Sequence, residues 1–193
     1  MIQPIKQFRV TRLTISGFKG YADKKTFQFG GMNVISGHMG VGKSSIADAI
    51  AFAITGVGFY AGAKIDYLYH QDTRDLLVEL EFEDGSGKLR TLARHRKDDK
   101  MDITLDGVRI GQGDLTTMFG ERDLFLSMFN PQYFINVLGS KGRNLLERYL
   151  PEVPKAEILA QLSGQTQALL EKQEFLSAEA YSKQLREQVT AME

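Results

Sequence analysis

Apolar and polar positions along this chain change period several times, and each change marks an element. Residues 8 to 36 read as three strands, Phe8 to Phe18, Lys25 to Phe29 and Met32 to Ser36, punctuated by Gly17, Gly20, Gly30 and Gly31. The third, Met-Asn-Val-Ile-Ser, is short and largely apolar, the pattern of a strand buried in a sheet. From Ser44 the period becomes helical, with Ile46, Ile50, Ala53 and Ile54 on one side and Gly56 placed as a C-cap. Leu76 to Glu83 alternates, with Val78, Leu80 and Phe82 on one face and Glu79, Glu81 and Glu83 on the other, before the turn Asp84-Gly85-Ser86-Gly87. A return strand pairing symmetrically about that turn sets Glu83 opposite Lys88 and Glu81 opposite Arg90. Asp106-Gly107 signals a second hairpin, with Leu105 facing Val108 and Ile103 facing Ile110, so residues 76 to 110 form an antiparallel meander.

After Gly113 the strands stop. Leu115 to Met128 and Arg143 to Leu150 read as helices separated by Phe129-Asn130-Pro131-Gln132, and Pro151 and Pro154 break the chain. In the Ala-, Leu-, Glu-, Gln- and Lys-rich stretch 155–193, Leu162, Leu169 and Leu176 recur every seven residues. Lys183 occupies the next heptad position and Gly164 interrupts the start. The stretch therefore reads as the root of a coiled coil, with a helix packed on the globular body as the other possibility.

A length of 193 residues suits one main domain, residues 1–154, with the helical stretch 155–193 as an appendage. Its 42% apolar and 25% charged composition is that of an ordinary soluble protein, and no apolar run approaches the roughly 20 residues of a membrane span. The chain has no cysteine, which excludes disulfides and thiolate metal sites, and its N-terminus has no stretch of signal-peptide character; a cytoplasmic setting is expected. A net charge of zero supplies no global attraction to nucleic-acid backbones. The three histidines, His38, His70 and His95, lack the spacing of a helical or hairpin metal site.

One segment carries specific chemistry. Gly37-His38-Met39-Gly40-Val41-Gly42-Lys43-Ser44 satisfies G-x-x-x-x-G-K-[ST] between an expected strand and an expected helix. Its glycines let successive N–H groups turn inward on phosphate oxygens, and the helix adds its positive N-terminal end. Lys43 is placed for the β- and γ-phosphates and the Ser44 hydroxyl for Mg²⁺, with Ser45 available to cap the helix or touch the α-phosphate. The expected ligands are ATP and Mg²⁺.

Around this loop, Thr-Arg-Leu-Thr-Ile-Ser-Gly-Phe-Lys-Gly-Tyr, Phe-Gly-Gly-Met-Asn-Val-Ile-Ser-Gly and Ser-Ser-Ile-Ala-Asp-Ala-Ile-Ala-Phe-Ala-Ile-Thr-Gly resemble the N-terminal segment of SMC, RecF and SbcC-like ABC ATPases of chromosome maintenance and break repair. The resemblance is strong over residues 8–56, moderate to about 97 and weaker beyond. It implies an α/β P-loop NTPase lobe of ABC/SMC type, followed by a coiled coil and completed by a C-terminal lobe bearing the signature motif and Walker B acid. It also implies a phosphate contact for Lys19, where the family often has arginine, and a Q-loop role toward Mg²⁺ and the attacking water for Gln132. Met39 stands where the family commonly has asparagine, which removes a γ-phosphate contact and points to slow or differently tuned hydrolysis. No apolar run ending in Asp-Glu follows the P-loop, and Leu162-Ser163-Gly164-Gln165 is one glycine short of a signature motif and reads as chance.

The chain thus reads as the first half of an ATPase whose nucleotide state controls dimer engagement. The partners implied are a C-terminal lobe of the same or another chain, DNA for the full assembly and a nuclease subunit. The alternative from another class is a stand-alone P-loop regulator or a small-molecule kinase, but a kinase calls for more parallel strands and an Arg-rich lid. Finally, Arg90, Arg94 and Arg96 share a face of the basic stretch Lys88 to Lys100, which suits either a salt-bridged sheet surface or DNA contact.

Overall fold

The computed structural model describes residues 3–61, 64–98, 100–139 and 141–150, with isolated positions beyond. The chain divides into two compact units, Met1–Arg148 and Tyr149–Glu193. The expected coiled-coil root and the Leu162-Ser163-Gly164-Gln165 segment lie outside the described residues, isolated positions aside. Among the described residues no helix is long and apolar enough to cross a membrane.

One sheet organises the first unit. Its strands are β1 (Phe8–Ser16), β2 (Lys25–Gln28), β3 (Asp75–Asp84), β4 (Leu89–Lys97), β5 (Lys100–Leu105) and β6 (Val108–Arg109). They lie in the order β2-β1-β3-β4-β5-β6, and every neighbouring pair is antiparallel. Alternation in β3 sends Leu76, Val78, Leu80 and Phe82 to one face, where all are buried. Helix α1 (Lys43–Thr55) packs against β3 and β4 there. Burial on α1 goes beyond the one side expected from sequence. Helices α2 (Gln112–Phe119) and α3 (Arg122–Phe129) also contact it, so nearly every residue from Ser45 to Thr55 is buried. Gly56 ends α1 in the left-handed conformation, as expected.

Four sequence expectations are corrected. Leu115 to Met128 is two helices, because Gly120 adopts a φ of 86° that no continuing helix allows. Since Phe129 ends α3, the anticipated linker Phe129-Asn130-Pro131-Gln132 shrinks to Asn130. It N-caps α4 (Pro131–Tyr133), which runs into a π-helical turn at Phe134–Leu138 ahead of α5 (Lys141–Tyr149). Asn at the N-cap and Pro at the first helical position explain that restart. Met32–Ser36 is not a buried strand. It pairs with nothing in the sheet, and Met32 and Val34 are 90% and 86% exposed. A strand apolar on both faces is buried only when neighbours flank it on both edges, and the antiparallel sheet provides none.

The fourth correction concerns register. Glu83 pairs with Leu89 and Phe82 with Arg90, one residue away from the symmetric expectation, because the loop holds three residues between Asp84 and Lys88. One residue of slip exchanges the faces of the whole return strand. Arg90, Arg94 and Arg96 do share a face, but it is the inner one, which removes both the outer salt-bridge reading and the DNA reading for Arg94, 3% exposed. Arg90 pairs with Asp106 at 2.6 Å, and Arg96 lies over the Tyr69 ring and beside Asp66. The β3 glutamates pair instead with β1, Glu83 with Arg9 and Glu81 with Arg12, both at 2.6 Å. A bulge between Val10 and Arg12 brings both arginines to the outer face. The second hairpin matches expectation, with Leu105 opposite Val108 and Ile110 N–H donating to the Ile103 carbonyl.

Candidate functional site

The glycine loop curls ahead of α1 as its composition dictates. Gly37, Gly40 and Gly42 all have positive φ, 149°, 87° and 88°. Lys43 folds back across the loop, donating from Nζ to the carbonyls of Gly37 (2.8 Å) and His38 (2.7 Å). No side chain caps the N-terminus of α1. The helix therefore presents its first-turn N–H groups and positive end toward the loop with no competing side-chain acceptor. Ser44 is exposed, Ser45 is buried and its N–H donates to the Gly42 carbonyl, and His38, Met39 and Val41 project outward, Met39 at 99% exposure.

The turn between β1 and β2 braces this loop. Phe18 and Tyr21 exchange backbone hydrogen bonds at 2.9 and 2.8 Å. That turn sets the Tyr21 ring against Gly42, and its hydroxyl donates to the Gly42 carbonyl at 3.3 Å. An added Cβ at Gly42 would lie 2.9 Å from the ring. Gly42→Ala thus combines that clash with a left-handed conformation costing about 1–2 kcal/mol, and it is expected to weaken nucleotide binding. Adding Tyr21→Ala should restore only part of the loss, because the dihedral cost remains; full recovery in a binding titration would show that sterics alone require the glycine.

Lys19, in the same turn, pairs with Asp48. Asp48 is four residues after Ser44 and shares its face of α1, so Lys19 sits beside the helix one turn from the loop. The other oxygen of Asp48 accepts the Phe59 N–H at 2.8 Å. Gln132 is held elsewhere: its Oε1 accepts from the Tyr60 hydroxyl at 3.2 Å, and its N–H donates to Asn130 Oδ1 at 3.1 Å. Glycine loop, Lys43, Ser44 and Lys19 thus gather around the first turns of α1. Gln132 joins them only through the segment after α1.

Sequence reasoning missed Tyr21, Asp48, Tyr60 and Asn130. Asp48 left a signal, a lone acid in a largely apolar helix, and Asn130 left one as an Asn directly before Pro131; Tyr21 and Tyr60 have none, because their partners are distant in the chain. The donor chemistry fits a polyphosphate: a lysine ammonium, a curled run of backbone N–H groups and a helix N-terminus. For Mg²⁺ the loop offers the Ser44 hydroxyl. Asp48, the acid on that face, is committed to Lys19 and Phe59.

A family model described as an AAA domain matches residues 12–193. The chain is 29% identical over 164 residues to the DNA double-strand break repair Rad50 ATPase of Thermoplasma acidophilum, covering 78% of this chain and 18% of that protein. It is 31% identical over 100 residues to the DNA replication and repair protein RecF of Shewanella denitrificans, covering 51% and 27% respectively. The fold is similar to an SMC head solved with the C-winged helix domain of ScpA, at a TM-score of 0.56 and 19% identity over 72% of this chain and 54% of that one. The chain therefore spans 18% and 27% of these two relatives' lengths.

Proposed function

Because the chain belongs to the AAA domain family, as an N-terminal lobe of the SMC, RecF and SbcC-like ABC ATPases, we propose that it binds ATP and Mg²⁺ as one half of a composite ATPase. The observation that carries this reading is the pairing of a built phosphate loop with a bare apolar segment leading into it. Met32, Val34 and Ile35 are exposed on the side of the loop away from α1 in sequence. A second lobe adding strands along this segment would bury those side chains and bring an acid to the Ser44 side of the loop. A DNA double-strand break repair ATPase and a DNA replication and repair protein among the relatives support DNA as the substrate of the full assembly. A nuclease subunit and nucleotide-dependent dimerisation belong to the same reading, as does a cytoplasmic setting.

Each residue then has a defined task. The loop N–H groups from Gly37 to Gly42 and the Lys43 ammonium hold the phosphates, the Ser44 hydroxyl takes a place in the Mg²⁺ shell, and Ser45 supports the loop from the helix. Lys19 adds positive charge beside α1, oriented by Asp48. Gln132 orients the attacking water or Mg²⁺. Bound Mg²⁺ supplies charge neutralisation on the transferring phosphoryl group. The antiparallel pairing of the whole sheet supports this reading over a kinase core.

The test is turnover and solution mass for this chain with and without a C-terminal lobe, on the same or another polypeptide. Alone, the chain should bind ATP and barely hydrolyse it. With the lobe, turnover should rise at least ~10²-fold, since positioning and charge stabilisation come from several parts together, and nucleotide should induce dimers. Robust turnover by the chain alone, abolished by Lys43→Ala, would overturn the half-enzyme reading.

A further inference from the structure

We propose that Tyr60 and Asn130 are positioning residues that set Gln132 relative to the P-loop helix, through a hydrogen-bonded strut anchored on Asp48. The inference rests on the role given to Gln132 above. The strut begins on α1, where buried Asp48 accepts the Phe59 N–H at 2.8 Å. This fastens the segment after α1 to the helix that carries Lys43 and Ser44. The segment is closed on itself, with Ala61 N–H donating to the Gly58 carbonyl at 2.9 Å, and it departs from there in two directions.

One branch runs through the backbone. The Phe59 carbonyl accepts from Asn130 Nδ2 at 3.3 Å, and Asn130 Oδ1 in turn accepts the Gln132 N–H at 3.1 Å. Asn130 is 3% exposed, and its own N–H and carbonyl bond to Leu126 and Tyr133 at 2.8 and 2.9 Å. Its side chain thus does two separable things: the oxygen caps α4, while the amide nitrogen ties that cap to Phe59. A cap alone requires only the oxygen. The other branch runs through the side chain, since the Tyr60 hydroxyl holds Gln132 Oε1 at 3.2 Å. That is the oxygen with which a glutamine would approach a cation or the hydrogen of a water. Backbone and side chain of Gln132 are therefore both fixed from residues adjoining Phe59, and Phe59 is fixed from α1. Fixing a water-orienting group from the element that holds the phosphates keeps the two in register, and displacements of an ångström at such a group are costly in rate.

Two variants separate this role from simple stabilisation. Tyr60→Phe removes one hydroxyl from a partly exposed ring and keeps its edge contact with Phe59. Asn130→Ser keeps a capping oxygen but is too short to reach the Phe59 carbonyl. In the ATPase assembled with its C-terminal lobe, kcat should fall roughly 2–10-fold in each, the range for one lost hydrogen bond, with KM for ATP unchanged. On a Gln132→Ala background neither change should reduce kcat further, because residues acting as a unit are not additive. Wild-type kcat in both single variants, or losses that multiply with Gln132→Ala, would overturn the strut while leaving Gln132 its role. Wild-type turnover in Gln132→Ala would remove that role and the strut with it.

Discussion

Lys43→Ala should lower the affinity of this chain for MgATP by roughly 10²–10⁴-fold and leave the fold intact. The ammonium lies across the glycine loop, bonded to the Gly37 and His38 carbonyls, so it is already at the mouth of the curled N–H groups. A phosphate arriving there gains charge-assisted hydrogen bonds, each contributing about 1.5–3 kcal/mol, and two of them account for the expected loss. Alanine keeps the helix start, and the two carbonyls it frees belong to exposed residues that water can reach, so the melting temperature should hardly move. Isothermal titration with MgATP and a thermal melt on both proteins decide the matter. Equal affinities would withdraw the phosphate-binding assignment.

Arg94→Ala should have the largest effect on stability. Arg94 donates from Nε to the Ala53 carbonyl at 3.1 Å, and from its terminal nitrogen to the Ile54 carbonyl at 3.4 Å and Gln112 Oε1 at 2.6 Å. It lies 5.4 Å over the Phe52 ring. It thus satisfies carbonyls at the C-terminal end of α1 with a positive charge where the helix dipole favours one. Burial pushes the guanidinium down to about 10, which leaves it charged at neutral pH. Truncation would strip the Ala53 carbonyl of its side-chain donor, leave Ile54 only the Gln112 amide at 3.1 Å, and open a cavity, a loss of about 3–5 kcal/mol. For a body of this size that is a fall of roughly 6–20 °C. Arg94→Lys should recover only part, since one ammonium does not reproduce the planar fork. Thermal melts measure the difference, and a midpoint shift below about 2 °C for Arg94→Ala would show that water reaches those carbonyls after all.

The sequence alone determined what depends on neighbours in the chain. The glycine spacing around Lys43 dictates a curled loop, Gly56 ends α1, and Asp106-Gly107 pairs Leu105 with Val108, because φ preferences and turn lengths act over a few residues. Tertiary structure decided the rest. A turn of three residues after Asp84 in place of four turned Arg94 inward to partners 41 residues away, and local alternation contains no signal for that choice. Met32–Ser36 has the composition of a central strand, yet whether it is one depends on edges supplied from outside the segment. Lys19 took Asp48 as its partner, and Asn130 reached the Phe59 carbonyl 71 residues away. A hydrogen bond is directional over less than an ångström, whereas sequence spacing specifies only which face of an element a side chain leaves from; where it arrives is set by how the elements pack.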